Sequence, residues 1–218
     1  MPPAQSPLLL HGIVLSDGHA LPEVPGAARG TRLISYRDVG AVVSDQKSFV
    51  LDDVDSGRIE EHRAIVDAVF HIAPVLPAPV GVVFRSSDAL TRWMELHYVS
   101  LTGALEFVED RAAARVHISA TPNNSSRAAA AAAGADADVA NAANEAVRAL
   151  RRAAVMAVPL AYDAASGRVS SAAFLVERDH WKDFLRAVAD QHEAHHALKF
   201  EVTGPWAPYD FVQMQFGG

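Results

Sequence analysis

The chain contains no cysteine. Disulfides, thiolate nucleophiles and Cys-type zinc centres are therefore excluded, and the absence suits a reducing cytoplasm. Basic charge is in the minority: 19 Lys and Arg face 26 Asp and Glu, for a net charge of −7. Phosphate contacts need clustered Lys and Arg, so no nucleic-acid partner is expected. Two short basic clusters, Arg148-Arg151-Arg152 and Arg111-Arg115, read as solvated helix faces or helix ends. No run of about 18 apolar residues occurs, so no membrane span is expected. The opening stretch MPPAQSPLLLHGIVLSDGHA has no basic segment ahead of its apolar run, unlike a signal peptide. There is no P-loop and no G-x-S-x-G elbow, and no motif calls for a cofactor.

What is present is an ordinary globular composition, half hydrophobic and 21% charged over 218 residues, enough for one large domain or two small ones. Residues 8–14 (LLLHGIV) read as a buried strand. The Pro- and Gly-rich stretch 21–30 reads as loop. Residues 31–36 and 39–44 read as two strands joined by a tight turn at Arg37-Asp38. The spacing of Ile59, His62, Ile65, Val66 and Val69 predicts a helix over 57–71. Three prolines make 73–84 extended. A second helix begins at Ser86 or Ser87 as N-cap, carries Leu90, Trp93, Met94, Leu96 and Leu101 inward, and is expected to break near Thr102-Gly103. Residues 114–120 alternate as a strand. The polar run TPNNSS at 121–126 suggests a boundary between an α+β domain at 1–120 and a second domain at 121–218. After an alanine-rich segment, propensity favours a helix over 137–158, then strands on both sides of Ser166-Gly167. A helix capped by Asp179 carries Trp181, Phe184, Leu185 and Val188 on its apolar face, and 198–204 is a last strand. Helix, strand, strand, helix, strand is most of a ferredoxin-like split β-α-β unit.

One catalytic pattern matches: H-E-x-x-H at 192–196. On a helix, His192 and His196 would share a face and a zinc ion, with Glu193 as general base of a hydrolase. Against it, the motif lies at a helix C-terminus, where histidines also complement the dipole, and no third histidine occupies the metzincin spacing. His62 reads as a hydrogen-bonded buried histidine rather than a ligand, and Trp93-Met94-Tyr98 as core rather than a cofactor box. The terminal segment VTGPWAPYDFV (202–212) is preorganised by Gly204, Pro205 and Pro208. Its aromatics Trp206, Tyr209 and Phe211 either pin the tail to the protein or face a partner; both readings are open.

That terminal segment, preceded by SAAFLVERDHWKDF, resembles the C-terminal signature of the gas vesicle GvpF/GvpL family. LLLHGIV, VGAVVSD and EEHRAIVDAVFHIAPVLPAPVGVVF resemble its earlier landmarks, so the likeness spans residues 8–212. The chain departs from the family where Ala78-Pro79-Val80 replaces a frequent Arg-Phe. The resemblance implies two α+β domains, the second a modified ferredoxin-like fold, and an accessory protein of gas vesicle assembly rather than an enzyme. It implies the major hydrophobic shell protein and other accessory proteins as partners, and a cytoplasmic location at gas vesicles. The expected contact residues are Val80, Val82 and Phe84 in the Pro-rich strand and Trp206, Tyr209 and Phe211 in the tail. A zinc-dependent hydrolase built on His192 and His196 is the alternative.

Overall fold

The computed structural model describes residues 6–16, 31–47, 55–121, 132–163 and 166–212. The expected loop at 21–30 and most of the polar and alanine-rich stretch after residue 121 lie outside them. The chain divides into two compact units, one of Met1–Glu109 with Ala207–Gly218, the other of Asp110–Trp206. The second unit is thus an insertion in the first, and the division does not coincide with the expected one after residue 120. The strand read at 114–120 belongs to the second unit, because its hydrogen-bond partners come later in the chain.

In the first unit the apolar run at 8–14 becomes β1 (Leu8–Leu15), buried on both faces over almost its whole length. It is flanked by β3 (Val39–Asp45) on one side, and β3 in turn pairs with β2 (Thr31–Tyr36). On the other side the Pro-rich segment contributes two short pieces. Here β4 (Val75–Pro77) pairs with Gly12–Val14, and β5 (Val83–Phe84) pairs with Leu8 and Leu9. A turn at Gly81, φ 96°, separates them. Two helices cover the sheet. Asp55 caps α1 (Ser56–Phe70) by accepting from the Arg58 amide at 2.8 Å. Ser86 caps α2 (Ser87–Val108) by accepting from the Ala89 amide at 3.2 Å. One face of α2 (Leu90, Met94, Leu101, Leu105, Val108) joins Leu8, Leu10, Ile13, Val39, Ala41, Val43 and Leu76 in the first core. The helix α1 buries His62, Ile65, Val66, Val69 and Phe70, and its His62 meets His11 and so lies against the other face of β1. Ile59, expected on that face, is 37% exposed.

The break expected at Thr102-Gly103 does not occur. Thr102 Oγ1 donates to the carbonyls of Tyr98 or Val99 at 3.1 Å, so its hydroxyl is satisfied within the helix. Leu105 and Val108 continue the buried stripe past Gly103. Leu96, expected to point inward, is instead 81% exposed.

The second unit has the order β6 (Arg111–Ala120), α3 (Ala132–Leu150), β7 (Met156–Pro159), β8 (Arg168–Glu177), α4 (Trp181–Ala194), β9 (Leu198–Trp206). Its sheet runs β7-β8-β6-β9, every neighbouring pair antiparallel. This is a split β-α-β order. Alternate residues Ala114, Val116 and Ile118 of β6 and Ala172, Phe174 and Val176 of β8 face one core. Ala143, Ala146 and Leu150 of α3, and Phe184 and Val188 of α4, fill it from that side. The alanines of α3 permit close approach to the sheet. Leu185, expected inward, is 40% exposed. The helix expected over 137–158 stops at Leu150, because the Val155 amide pairs with the Leu175 carbonyl and Met156–Pro159 join the sheet. Pairing across the sheet overrides propensity here. Asp179 is not the cap of α4; His180 holds that position, without a side-chain capping bond. Arg111 and Arg115 lie on a strand, not on a helix face.

Gly204, within β9, has φ 129°, and a Cβ there would stand 2.7 Å from the Ala113 carbonyl oxygen and 3.0 Å from the Trp181 ring. Both the backbone and the contact require glycine. Gly204→Ala is expected to destabilise the protein by on the order of 2 kcal/mol, read as a lower urea midpoint. An unchanged midpoint would show that β9 shifts away from β6 without cost.

Candidate functional site and interaction surfaces

Among the described residues, the most buried polar cluster lies at a β-bulge. Leu10 pairs with Val43 and Gly12 with Val42, so His11 is the extra residue of β1. Its side chain is 2% exposed and that of His62 is 1% exposed. His62 Nε2 lies 3.0 Å from the Ala78 carbonyl oxygen, His62 Nδ1 lies 3.2 Å from His11 Nδ1, and His11 Nε2 lies 3.0 Å from Ser44 Oγ. The Ala78 carbonyl only accepts, which fixes the tautomers along the chain. His62 Nε2–H donates to Ala78, His11 Nδ1–H donates to His62, and the Ser44 hydroxyl donates to His11. Both rings are neutral in this arrangement. Burial, and then the neighbouring His62, lower the pKa of His11 to about 4. Burial likewise lowers that of His62, against the opposing effect of its bond to Ala78. His62 is therefore a hydrogen-bonded core histidine, and the cluster ties α1, β1, β3 and the Pro-rich segment together. The Ala78 amide, donating to the His11 carbonyl at 2.9 Å, closes the network.

A second cluster holds the turn between β2 and β3. Arg37, at φ 55°, places its guanidinium 5.5 Å from the Tyr36 ring centre and 4.9 Å from that of Tyr98 on α2. The Tyr98 hydroxyl donates to Asp38 Oδ1 at 2.6 Å, and this bond raises its pKa. Trp93 and Tyr98 pack against the first core and Met94 is buried in it, as expected of core residues.

The H-E-x-x-H pattern does not form a metal pair. The helix α4 ends at Ala194, and His195 leaves helical geometry at φ −124°, ψ 71°. His196 is thus off the helix, and the i,i+4 relation to His192 is lost. His192 lies edge-on to Phe200 at 6.1 Å. His192 and Glu193 are exposed, as is His196. Among the described residues, one trio brings three potential ligand atoms within 4.8 Å of one another: Glu177, Asp179 and His180. There His180 Nδ1 is hydrogen-bonded to Glu177 Oε2 at 2.8 Å, which raises the histidine pKa. The trio stands at the N-terminus of α4, where the helix dipole disfavours a cation. Beside it, a cavity of about 340 Å³ is lined by Arg152, Ala154, Val155, Glu177, His180 and Phe184.

The six expected contact residues are dispersed. Val80 is 37% exposed and Trp206 is 40% exposed. Val82 and Phe84 pack against the first core, Phe84 with its ring 5.6 Å from Trp93. In the tail Ala207 and Pro208 are buried, Tyr209 and Phe211 are half-buried, and Val212 packs against the first core. The tail from Ala207 belongs to the first unit, whereas Trp206 ends β9 in the second, its indole N–H donating to Thr203 Oγ1 at 3.2 Å. The sequence missed the partner of His62, the Arg37 cluster and the exposed face of α2. The continuous apolar run around it places His11 indoors, but nothing local announces a bulge.

These features define the class: an α+β protein of two sheets whose described polar clusters hold elements together. The family profile "Gas vesicle synthesis protein GvpL/GvpF" matches residues 8–138 and 124–213. Gas vesicle protein F2 of Halobacterium salinarum is 27% identical over 220 residues, covering 98% of this chain and 95% of the relative. Gas vesicle protein F of Haloferax mediterranei is 27% identical over 221 residues, covering 96% and 95%. The fold is similar to crystal structures of GvpF from Anabaena, with a TM-score of 0.76 at 14% identity, and from Microcystis aeruginosa, with 0.72 at 13%. These cover 97% and 96% of this chain and all of each solved chain. The chain belongs to the gas vesicle GvpL/GvpF family.

The histidine network sets a pH dependence. A histidine held neutral in the fold binds fewer protons folded than unfolded, so its contribution to stability is fully present above the unfolded pKa, near 6.5, and falls as pH drops toward about 4. Unfolding free energy is expected to drop by on the order of a few kcal/mol across that window. In His11→Leu the slope over the same window is expected to be shallower, although the variant is less stable at pH 7. Equal slopes in urea titrations of the two proteins would remove this assignment.

Proposed function

We propose that this protein serves gas vesicle assembly by holding the hydrophobic shell protein and other accessory proteins through non-covalent contacts, and that it is not an enzyme. It acts in the cytoplasm at forming vesicles. The observation that carries this reading is the family match across nearly the whole chain. It is supported by the dispersal of the histidine motif, since His192 and His196 no longer share a helix face. Non-covalent client holding needs apolar side chains on a preorganised backbone, because such groups lose little entropy when covered. Trp206 and Val80 meet that description: both are large, apolar and substantially exposed. Tyr209, Phe211, Val82 and Phe84 are more covered, so their part is to hold the tail and the Pro-rich segment in shape around those two.

Co-expression pull-down with the major shell protein tests this division. Trp206→Ala is expected to lose most of the captured shell protein while its melting temperature stays within a degree or two of wild type. Tyr209→Ala is expected to lower the melting temperature first. Wild-type protein that captures neither shell protein nor any co-encoded accessory protein would sink the reading.

A further inference from the structure

The helix α2 carries apolar residues on two opposite sides. Its buried side carries Leu90, Met94, Leu101, Leu105 and Val108. Directly opposite, Arg92, Leu96, Val99, Gly103 and Glu106 succeed one another at steps of four, three, four and three residues. At 100° per residue these five fall within about 80° of arc, a single seam of the a/d type. All five are exposed. Leu96 and Val99 are each 81% exposed, the highest values among the large hydrophobic residues exposed in the described structure. A Cβ added at Gly103 would meet nothing within 4 Å.

The order of charges along the seam selects the occupant. Val99 is at the centre. Arg92 stands seven residues before it and Glu106 seven residues after it, about 10.5 Å along the axis in each direction. The seam is therefore complementary to itself when reversed. In an antiparallel pair of α2 helices crossing at Val99, each Arg92 meets the other copy's Glu106. Each Leu96 meets the small surface at Gly103, and the two Val99 side chains meet on the twofold axis. Neither Arg92 nor Glu106 has an ion-pair partner among the described residues. A parallel pair would set Arg92 against Arg92 and Glu106 against Glu106, so the same charges oppose it.

We propose that the exposed seam Arg92–Leu96–Val99–Gly103–Glu106 of α2 is a self-association surface, which pairs two copies of this chain antiparallel about a twofold axis at Val99. The contact is isologous, so it closes at two copies and does not propagate. It uses none of the residues assigned to client holding, and leaves Trp206 and Val80 on other elements.

Sedimentation equilibrium of the full chain tests the seam, with charge exchange as the specific probe. Wild type is expected to be a dimer in the micromolar range. Leu96→Glu with Val99→Glu is expected to weaken the dimer by at least about tenfold. Arg92→Glu and Glu106→Arg are each expected to weaken it, and the two together to restore it, because the exchanged charges again face opposite signs. All four positions are exposed, so circular dichroism and melting temperature are expected to stay near wild type. The chain has no cysteine, so Val99→Cys introduces a single thiol. It is expected to give a covalent dimer on mild oxidation, where the exposed Glu145→Cys gives little. A monomer across the concentration range, a dimer indifferent to the double glutamate variant, or failure of the charge exchange to restore pairing would each overturn the proposal.

Discussion

The first unit depends on a constraint at one strand. β1 is flanked by strands on both edges and covered on both faces, so every polar group it carries must be satisfied by protein. His11 and Gly12 interrupt its apolar run, and each answers that constraint. His11 is the bulged residue, and the bulge turns its ring toward α1, where His62 completes a hydrogen-bonded chain ending on the Ala78 carbonyl. At Gly12 a Cβ would stand 2.8 Å from Val75 Cγ2 and 3.0 Å from the Leu76 carbonyl oxygen, so only glycine lets the Pro-rich segment come that close. The Pro-rich segment is then held at both ends by β4 and β5 and in the middle by the amide of Ala78. A buried ring that must stay neutral is the element in this arrangement most sensitive to acid.

The second unit is built by a different rule. Its strands carry small residues, Ala114 and Ala172, at helix-facing positions, and α3 meets them with alanine. The core relies on close approach, with Phe174 and Phe184, ring centres 5.3 Å apart, filling the middle. Glycine at 204 serves the same end at the edge strand. Density of packing substitutes for side-chain size, and this is why an alanine-rich stretch without a wide hydrophobic face still makes a stable layer.

Much of this is legible in the sequence. An apolar run and period-two and period-3.6 patterns place β1 to β3, α1, the start of α2 and the last strand close to where they lie, and Gly167 marks a turn. The turn at Gly81, by contrast, interrupts a stretch, 73–84, that its prolines led one to expect extended throughout. The misplacements share a cause. The end of α3, the continuity of α2 and the membership of 111–120 are decided by partners distant in sequence: Leu175 for Val155, the first core for Leu105, and β8 and β9 for β6. Local propensity holds no record of those partners. The same limit applies to H-E-x-x-H, whose spacing has meaning only if the helix reaches His196, and it does not. Hydrophobicity alone cannot separate Trp206, which is exposed, from Phe84, whose ring packs on Trp93. The seam on α2 is visible as a periodic apolar pattern, but it merges with the buried side because two opposite apolar faces on one helix read as one.

The insertion of the second unit within the first has a consequence for the order of events during synthesis. Residues 110–206 leave the ribosome as a contiguous block and carry all four strands of their sheet. That unit can close while the chain is still growing. The first unit waits: its described strands and helices are made by residue 109, but Val212, which packs on its core, follows the whole of the second unit in the chain. Loss of residues 207–212 therefore strikes the unit translated first. Completion of the first unit therefore requires that the second has already been translated.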